Sequence, residues 1–434
     1  MKFAPISGLL VTSGLLVLAP APASAAASFK TIYNFTGQKT GQGPFGALIR
    51  DSTGNFYGTT SSGGPFSNGT VYKLTPPAAG KHAWAETVLH AFRGKKIDGA
   101  NPDAPLVMDS KGALYGTTQW GGKDGGFDGT IFRLVPSTAG KTAWEETILF
   151  KFGPNTGASP VGNLVIGADG SLYGTTCGCG VGDQSKGTVF QLSPPAAGAS
   201  AWTYRVIHAF TGATDGGLPH AGLTAGAGGW LYGTASAGGT ANAGVVFGLF
   251  VSAKGRWEER VLYNFTGNAD GAYPRGGVAF DKDGKLYAAA QQGGNGAFGN
   301  GAGTVIQLDP PTLPGDAWTE TTLYTFTGLA DGGQPGSTPS IAADGTVYGT
   351  TDLGGAVTTP ACENYGEPSG CGTVYALQPP AAGKTVWTET VLHAFTATDG
   401  AVPWGALYQD STGLYGTTEI GGTAASGTVY SIQP

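Results

Sequence analysis

The sequence predicts an all-β chain folded as a seven-bladed β-propeller of four-stranded blades, and three observations predict it. First, an aromatic or aliphatic residue followed by Tyr, and in most copies by Gly-Thr-Thr, recurs with its tyrosine at Tyr57, Tyr115, Tyr173, Tyr232, Tyr287, Tyr348 and Tyr415, at intervals of 55 to 67 residues. Such units are too long for one hairpin and too short for a stable domain, so each shares a core with its neighbours. Second, every unit holds four strand-like pieces bounded by turn residues. Third, the two ends complement each other, and pairing them closes a ring and removes free sheet edges.

The first piece starts at a proline and carries alternating small and aliphatic residues, as in Pro102 to Asp109 and Pro274 to Asp281. The second is the tyrosine motif. The third is G-T-V-Y/F-x-L, as in Gly69 to Leu74 and Gly372 to Leu377, and the fourth is W-x-E-x-x-L-x-x-F, as in Trp84 to Phe92, Trp318 to Phe326 and Trp387 to Phe395. Period-two alternation between Gly, Pro, Asp and Asn makes each a strand, and four strands in a meander make a propeller blade. Residues 28–35 read as a fourth strand, while the chain ends at Gly427 to Ile432 on a third. The N-terminal strand is therefore expected to complete the last blade. An open β-solenoid is the competing arrangement, but its coils are normally shorter.

Residues 1–25 read as a secretory signal peptide, with Lys2 in the n-region, an apolar Leu9 to Leu18 and the small-residue site Ala23-Ser24-Ala25, cleaved after Ala25. The apolar run is too short to span a membrane, and the absence of a cysteine near the cleavage point argues against a lipid anchor. Residues 26–434 are expected to form a single seven-bladed domain, secreted or periplasmic, soluble and monomeric, with no membrane insertion. The formal net charge is -6, the 77 glycines show no collagen period, and no arginine cluster appears, which makes nucleic acid a poor partner. Nothing calls for a cofactor or a metal.

All four cysteines fall in the loop after the tyrosine strand. Cys362 and Cys371 bracket an excursion unique to copy six and are read as a disulfide of an oxidising compartment. Cys177 and Cys179 form a C-x-C pair, open to a local disulfide or free thiols, and less readily to a metal, since structural zinc needs four ligands.

The tandem units F-T-G-x-x-D-G-x-x-P, D-x-x-G-x-L-Y-G-T-T-x-x-G-G and G-T-V-F-x-L-x-P-P, recurring from Ser28 to Pro434, resemble the GloVer-type tandem repeat of exported bacterial proteins, often seen with varied C-terminal anchors. The resemblance implies export and repeat architecture. It carries no catalytic residues to transfer, and nothing after Tyr430 looks like an anchor.

Function is sought where the copies differ. In a four-stranded meander the loop from strand two to three and the loop entering the next strand one share an end, so the first residues of the inner strands ring the channel mouth. The residue after the repeated proline is Phe45, Asp103, Val161, His220, Arg275, Gly336 and Trp404 in turn, a range of chemistry that no purely structural position needs. The residue after the motif's two threonines, or their equivalents, is Ser61, Gln119, Cys177, Ser236, Gln291, Asp352 and Glu419, expected one shell further out.

His90, His208 and His393 stand where other copies have Tyr or Phe and read as packing residues, whereas His220 breaks the pattern. Six tryptophans belong to the fourth-strand repeat, but Trp120 and Trp404 are out of register on the loop face, where an aromatic face suits a sugar ring. The Asp-Gly pairs at Asp98, Asp215, Asp270, Asp331 and Asp399 recur at one turn and read as turn chemistry rather than a calcium loop. No Walker or nucleophile-elbow pattern occurs.

Three functions compete. A recognition propeller would bind an extracellular polysaccharide or an envelope protein, with Phe45, Trp120, Trp404, Gln119 and Gln291 as contacts. A carbohydrate-active enzyme would be a lyase of uronic acids, with Arg275 as cation and His220 as base, or a glycoside hydrolase using two of Asp103, Asp352 and Glu419. A structural cell-surface spacer is the third. Propellers host many functions, so the fold does not choose among them.

Overall fold

The computed structural model describes residues 27–94, 96–122, 126, 128–137, 144–153, 155–178, 186–313, 316–355, 362 and 370–434. The signal-peptide reading of residues 1–25 and Cys179 of the C-x-C pair lie outside them. Seven four-stranded antiparallel sheets follow one another around a ring, each a simple meander. Blade one contains Ile49–Arg50, Phe56–Thr60, Thr70–Thr75 and Ala85–Ala91. Blade seven contains Tyr408–Asp410, Gly413–Thr418 and Thr428–Gln433, and its outer strand is Ser28–Asn34 from the N-terminal end.

That closing strand is a true copy of a fourth strand. In blade one the pairing of strands three and four slips at Val71/Tyr72, and the same slip recurs in blades two to six. It recurs once more between Thr31 and Tyr33 in the closing pair. A bulge at a fixed place sets twist and side-chain direction, so the borrowed strand aims its residues as a native one would.

The inner strand is shorter than the sequence suggests. The proline-initiated segment reaches from Pro102 to Asp109, yet only Val107–Met108 joins the ladder. Its earlier residues run along the channel and bond outward to the adjoining blade. The first motif threonine of blades one, two, three, four and seven donates its hydroxyl to a carbonyl of the following inner strand: Thr59 to Ala104 (3.1 Å), Thr117 to Pro160 (2.9 Å), Thr175 to Ala221 (2.7 Å), Thr234 to Gly276 (2.7 Å) and Thr417 to Gly46 (3.3 Å). The second threonine instead pairs with the threonine opening strand three, as in Thr60 with Thr70 at 2.9 Å and Thr118 with Thr130 at 2.8 Å.

The seven hydrophobic clusters among the described residues each draw on two neighbouring blades. One of them joins Val71, Leu89 and Phe92 of blade one to Leu106, Leu114 and Phe132 of blade two. No blade buries a core alone, as units of this length require. Outside the cavity described below, the histidines of strand four serve these seams. His90 bonds Asp98 at 3.2 Å and His393 bonds Asp399 at 2.9 Å, while Tyr263 donates to Asp270 at 2.8 Å and Tyr324 to Asp331 at 3.1 Å. The same aspartates accept backbone N–H groups of their own turns, from Arg93, Thr266, Thr327 and Thr396 among others, which is turn chemistry. Cys362 and Cys371, both buried, are joined by a disulfide.

Two repeated glycines are dictated by contact. The glycine opening strand three has φ near 90° and lies against the next blade's proline: a Cβ on Gly69 would sit 2.3 Å from the Thr60 carbonyl oxygen and 2.6 Å from Pro102 Cδ. The motif glycine lies under the strand-three aromatic, so a Cβ on Gly58 would sit 2.4 Å from the Tyr72 hydroxyl oxygen. Blade five proves the rule by changing both partners, with Ala288 facing Ile306 in the ladder. Gly58→Ala is therefore expected to destabilise by about 1–3 kcal/mol through overpacking. Gly58→Ala combined with Tyr72→Ile should lose clearly less than the sum of the single losses in chemical denaturation, and strict additivity would refute the coupling.

Candidate functional site

At one end of the ring the strand two to three loops meet the loops entering the next inner strands. The two are joined by backbone bridges such as Gln42 with Ser62, Ala100 with Trp120, Ala272 with Gln292 and Ala401 with Ile420. The residue before each repeated proline has a positive φ: Gly43 67°, Asn101 54°, Ser159 54°, Leu218 55°, Tyr273 61°, Gln334 57° and Val402 56°. Left-handed conformations at non-glycine residues persist only where the surroundings fix them, and here both backbone groups are tied. The Asn101 N–H donates to Asn68 of the previous blade and its carbonyl accepts from Gln119, each below 3.1 Å. Leu218, Tyr273, Gln334 and Val402 repeat the arrangement. Because the fastening uses main-chain atoms alone, the side chains on either side of it are free to vary.

What they form is a cavity of about 560 Å3 on the channel axis, whose wall includes Phe45, Asp103, Val161, His220, Arg275, Gly336 and Trp404. The structure thus brings all seven post-proline residues together. Of the ring behind them, Gln119 and Cys177 also reach the wall. Asp352 and Gln291 do not line it: both are buried, and the Gln291 amide donates to Asp352 at 2.8 Å. Glu419 sits behind Trp404, and Trp120 stands at the same end in its bridge to Ala100, outside the wall. A deeper ring was not singled out by the sequence reading, namely Ala47, Pro105, Asn163, Gly222, Gly277, Thr338 and Ala406, three residues beyond each proline. The same unit-by-unit comparison carried two residues further would have found it.

The wall is chemically lopsided. Trp404 stacks on Phe45, with ring centroids 5.3 Å apart and planes 20° from parallel, and the Arg275 guanidinium carbon lies 5.0 Å from the Trp404 ring centroid. Arg275 belongs to blade five and Trp404 to blade seven, and they meet because Gly336 of blade six has no side chain. A Cβ there would come 3.1 Å from Asp352 Oδ2 and 3.4 Å from Trp404. Trp404 was expected as an open platform for a sugar; its indole is instead flanked by Phe45 and Arg275.

Burial, and then the Arg275 charge, hold the His220 imidazole down to about 4, so it is neutral near pH 7. Burial, and then the Glu419 carboxylate, push Asp103 up to about 7, and Asp103 Oδ1 has no hydrogen-bond partner. Burial also raises Glu419, partly offset by the Trp404 indole. Among the described residues Arg275 is the one Lys or Arg of the wall and Asp103 its one carboxyl.

Among the described residues one His and carboxylate group has metal-like spacing, His90, Asp98 and Glu146, on the seam between blades one and two. The equivalent seam positions in blades four and five hold Tyr263 and Tyr324 bonded to their aspartates, which identifies the arrangement as structural.

The family model described as the Gloeobacter/Verrucomicrobia repeat matches residues 21–247, 180–362 and 250–434. No curated protein matches in sequence. Among solved structures, the chain is similar to a polysaccharide lyase, an ulvan lyase, at 11% identity and a TM-score of 0.52, covering 92% of this chain and 94% of that one. It is also similar to the extracellular domain of a protein described as a one component system from B. thetaiotaomicron, at 13% identity and a TM-score of 0.50, covering 94% of this chain and 42% of that one. At such identities the likeness is one of fold.

Proposed function

The chain belongs to the Gloeobacter/Verrucomicrobia repeat family, and we propose that this member is an extracellular recognition propeller that binds a glycan in the mouth of its channel. One observation carries the reading: the repeat position with the widest chemical variation supplies all seven of its residues to a single cavity of about 560 Å3. A concave site with apolar walls and a few convergent polar groups is the usual form of a small-ligand pocket. Stacked aromatic rings beside a cation and hydroxyl-binding groups suit a sugar, which offers C–H faces and hydroxyls together. Here Phe45 presents the outer ring of the stack, and Gln119, Asn163 and Thr338 supply the polar groups.

Calorimetric titration against a panel of oligosaccharides tests this. Saturable binding is expected, weakened at least about tenfold by Trp404→Ala. Binding unaffected by that change, or no binding across the panel, removes the reading.

A second reading, polysaccharide lyase, has its own observation. His220 is neutral near pH 7 and stands beside Arg275 on the same wall. A neutral imidazole can take the proton next to a uronate carboxylate while the guanidinium stabilises the charge that develops. Catalysis would release unsaturated sugars with ultraviolet absorbance and would disappear in His220→Ala, whereas a recognition protein releases none.

A further inference from the structure

The charge distribution of the wall names the class of sugar. Arg275 is the single Lys or Arg among the described lining residues. None of the hydrogen bonds or ion pairs found among the described residues engages its side chain, whose recorded contacts are the Trp404 ring at 5.0 Å and the field it exerts on His220. A guanidinium laid against an aromatic ring keeps its five N–H donors at its edge, in the plane that matches a carboxylate. Half-buried, set against the ring and without an anionic partner among the described residues, it is a prepared counter-charge.

The groups that face it point the same way. His220 contributes no positive charge near neutrality and can hydrogen-bond a hydroxyl. Asp103, the only carboxyl among the described residues of the wall, is displaced toward its neutral form by burial, which weakens the repulsion an incoming carboxylate would meet. Phe45 and Trp404 give the non-polar side against which a sugar ring rests.

We infer that the cavity takes a uronic acid residue of an acidic polysaccharide, its carboxylate forked on the Arg275 guanidinium and its ring against the Phe45–Trp404 pair. The inference rests on the glycan reading above and narrows it. The guanidinium fork also matches tetrahedral oxyanions, so a sulfate ester is the rival occupant that the test sets against the carboxylate.

The test is titration of the protein with oligogalacturonate and oligoglucuronate, with their carboxyl-reduced counterparts, and with a sulfated neutral oligosaccharide. At least one oligouronate is expected to bind, and carboxyl reduction and Arg275→Gln should each weaken that binding at least about tenfold. Arg275→Lys, which keeps the charge and loses the fork, should fall between. An unchanged melting temperature of Arg275→Gln separates loss of contact from loss of fold. Equal affinity for the reduced sugar, undiminished binding by Arg275→Gln, or preference for the sulfated sugar would each overturn the assignment. Binding of neutral sugars alone would overturn it and leave glycan recognition standing, whereas no binding to any sugar would remove both.

Discussion

Deleting residues 28–34 is expected to abolish the cooperative folding of the ring. The strand pairs with Thr428–Gln433 from Ser28 to Asn34. Phe29 lies flat on His393 of the neighbouring blade at 3.6 Å, with its edge toward Phe395 at 5.8 Å. Without the strand, Thr428–Gln433 becomes an open edge beside uncovered apolar side chains, a ready template for aggregation. The expected product is insoluble, or melts more than about 10 °C below the intact chain in scanning calorimetry. Phe29→Ala is the graded version, with an expected loss of about 3 kcal/mol. A deletion variant that melts with the parent would mean that the ring does not depend on its latch.

The second large effect is a loss of stability on the alkaline side. Glu86, Glu146, Glu259 and Glu389 occupy equivalent places on strand four, and burial pushes each up to about 7. Asp215 adds to the effect at Glu259 and Asp331 at Glu389; at Glu146 the raising charge of Asp98 is opposed by His90, Lys151 and Arg93. Their ordinary value is 4.5, so the folded state holds these protons more tightly than the unfolded chain. The stabilisation is complete below about 4.5 and is lost as pH rises through about 7.

Two groups oppose this. Burial lowers His208 and His220, so their contribution is present above 6.5 and lost as pH falls. At Asp51 burial acts upward, but hydrogen bonds from Asn55, Thr53 and Tyr57 outweigh it and hold the carboxyl at about 2, so that contribution fails only in strong acid. The four glutamates, joined by Asp103 of the cavity, outnumber the two imidazoles and place the optimum on the acid side of neutrality. The melting temperature is expected to be higher at pH 5.5 than at pH 8. Glu259→Gln and Glu389→Gln should each raise it at pH 8 by about 2 °C, a modest figure because the groups are partly solvated, and leave it unchanged at pH 5. A melting temperature that rises from pH 5.5 to pH 8 would contradict the assignment.

These seams also show where sequence reading stopped. The repeat made the blades, their number and the latch legible, because a strict copy fixes what each piece must be. It also separated His220 from the strand-four histidines, since only the latter alternate with Tyr and Phe. The carboxyl that faces His90 stayed hidden, because it lies one whole unit further along, at Glu146. The inner strand was read as longer than its ladder because an extended segment bonded to the next blade has the same composition as one paired within its own. The contact of Arg275 with Trp404 skips a blade, and only the missing side chain at Gly336 allows it. No alignment of one unit on the next expresses such a contact.

The threonine hydroxyls that reach the following inner strand have a sense of direction. Blades one to four each carry a donor on one flank and an acceptor on the other, and Thr417 of blade seven returns to Gly46 where the chain's two ends meet. The ring is in this respect a head-to-tail polymer of one monomer type that has closed on itself. Heterologous contacts of that kind generate either rings or open filaments, and the rotation between successive copies decides which. The number seven is therefore set by the angle between successive blades, so gain or loss of a whole unit would have to be absorbed at every seam at once.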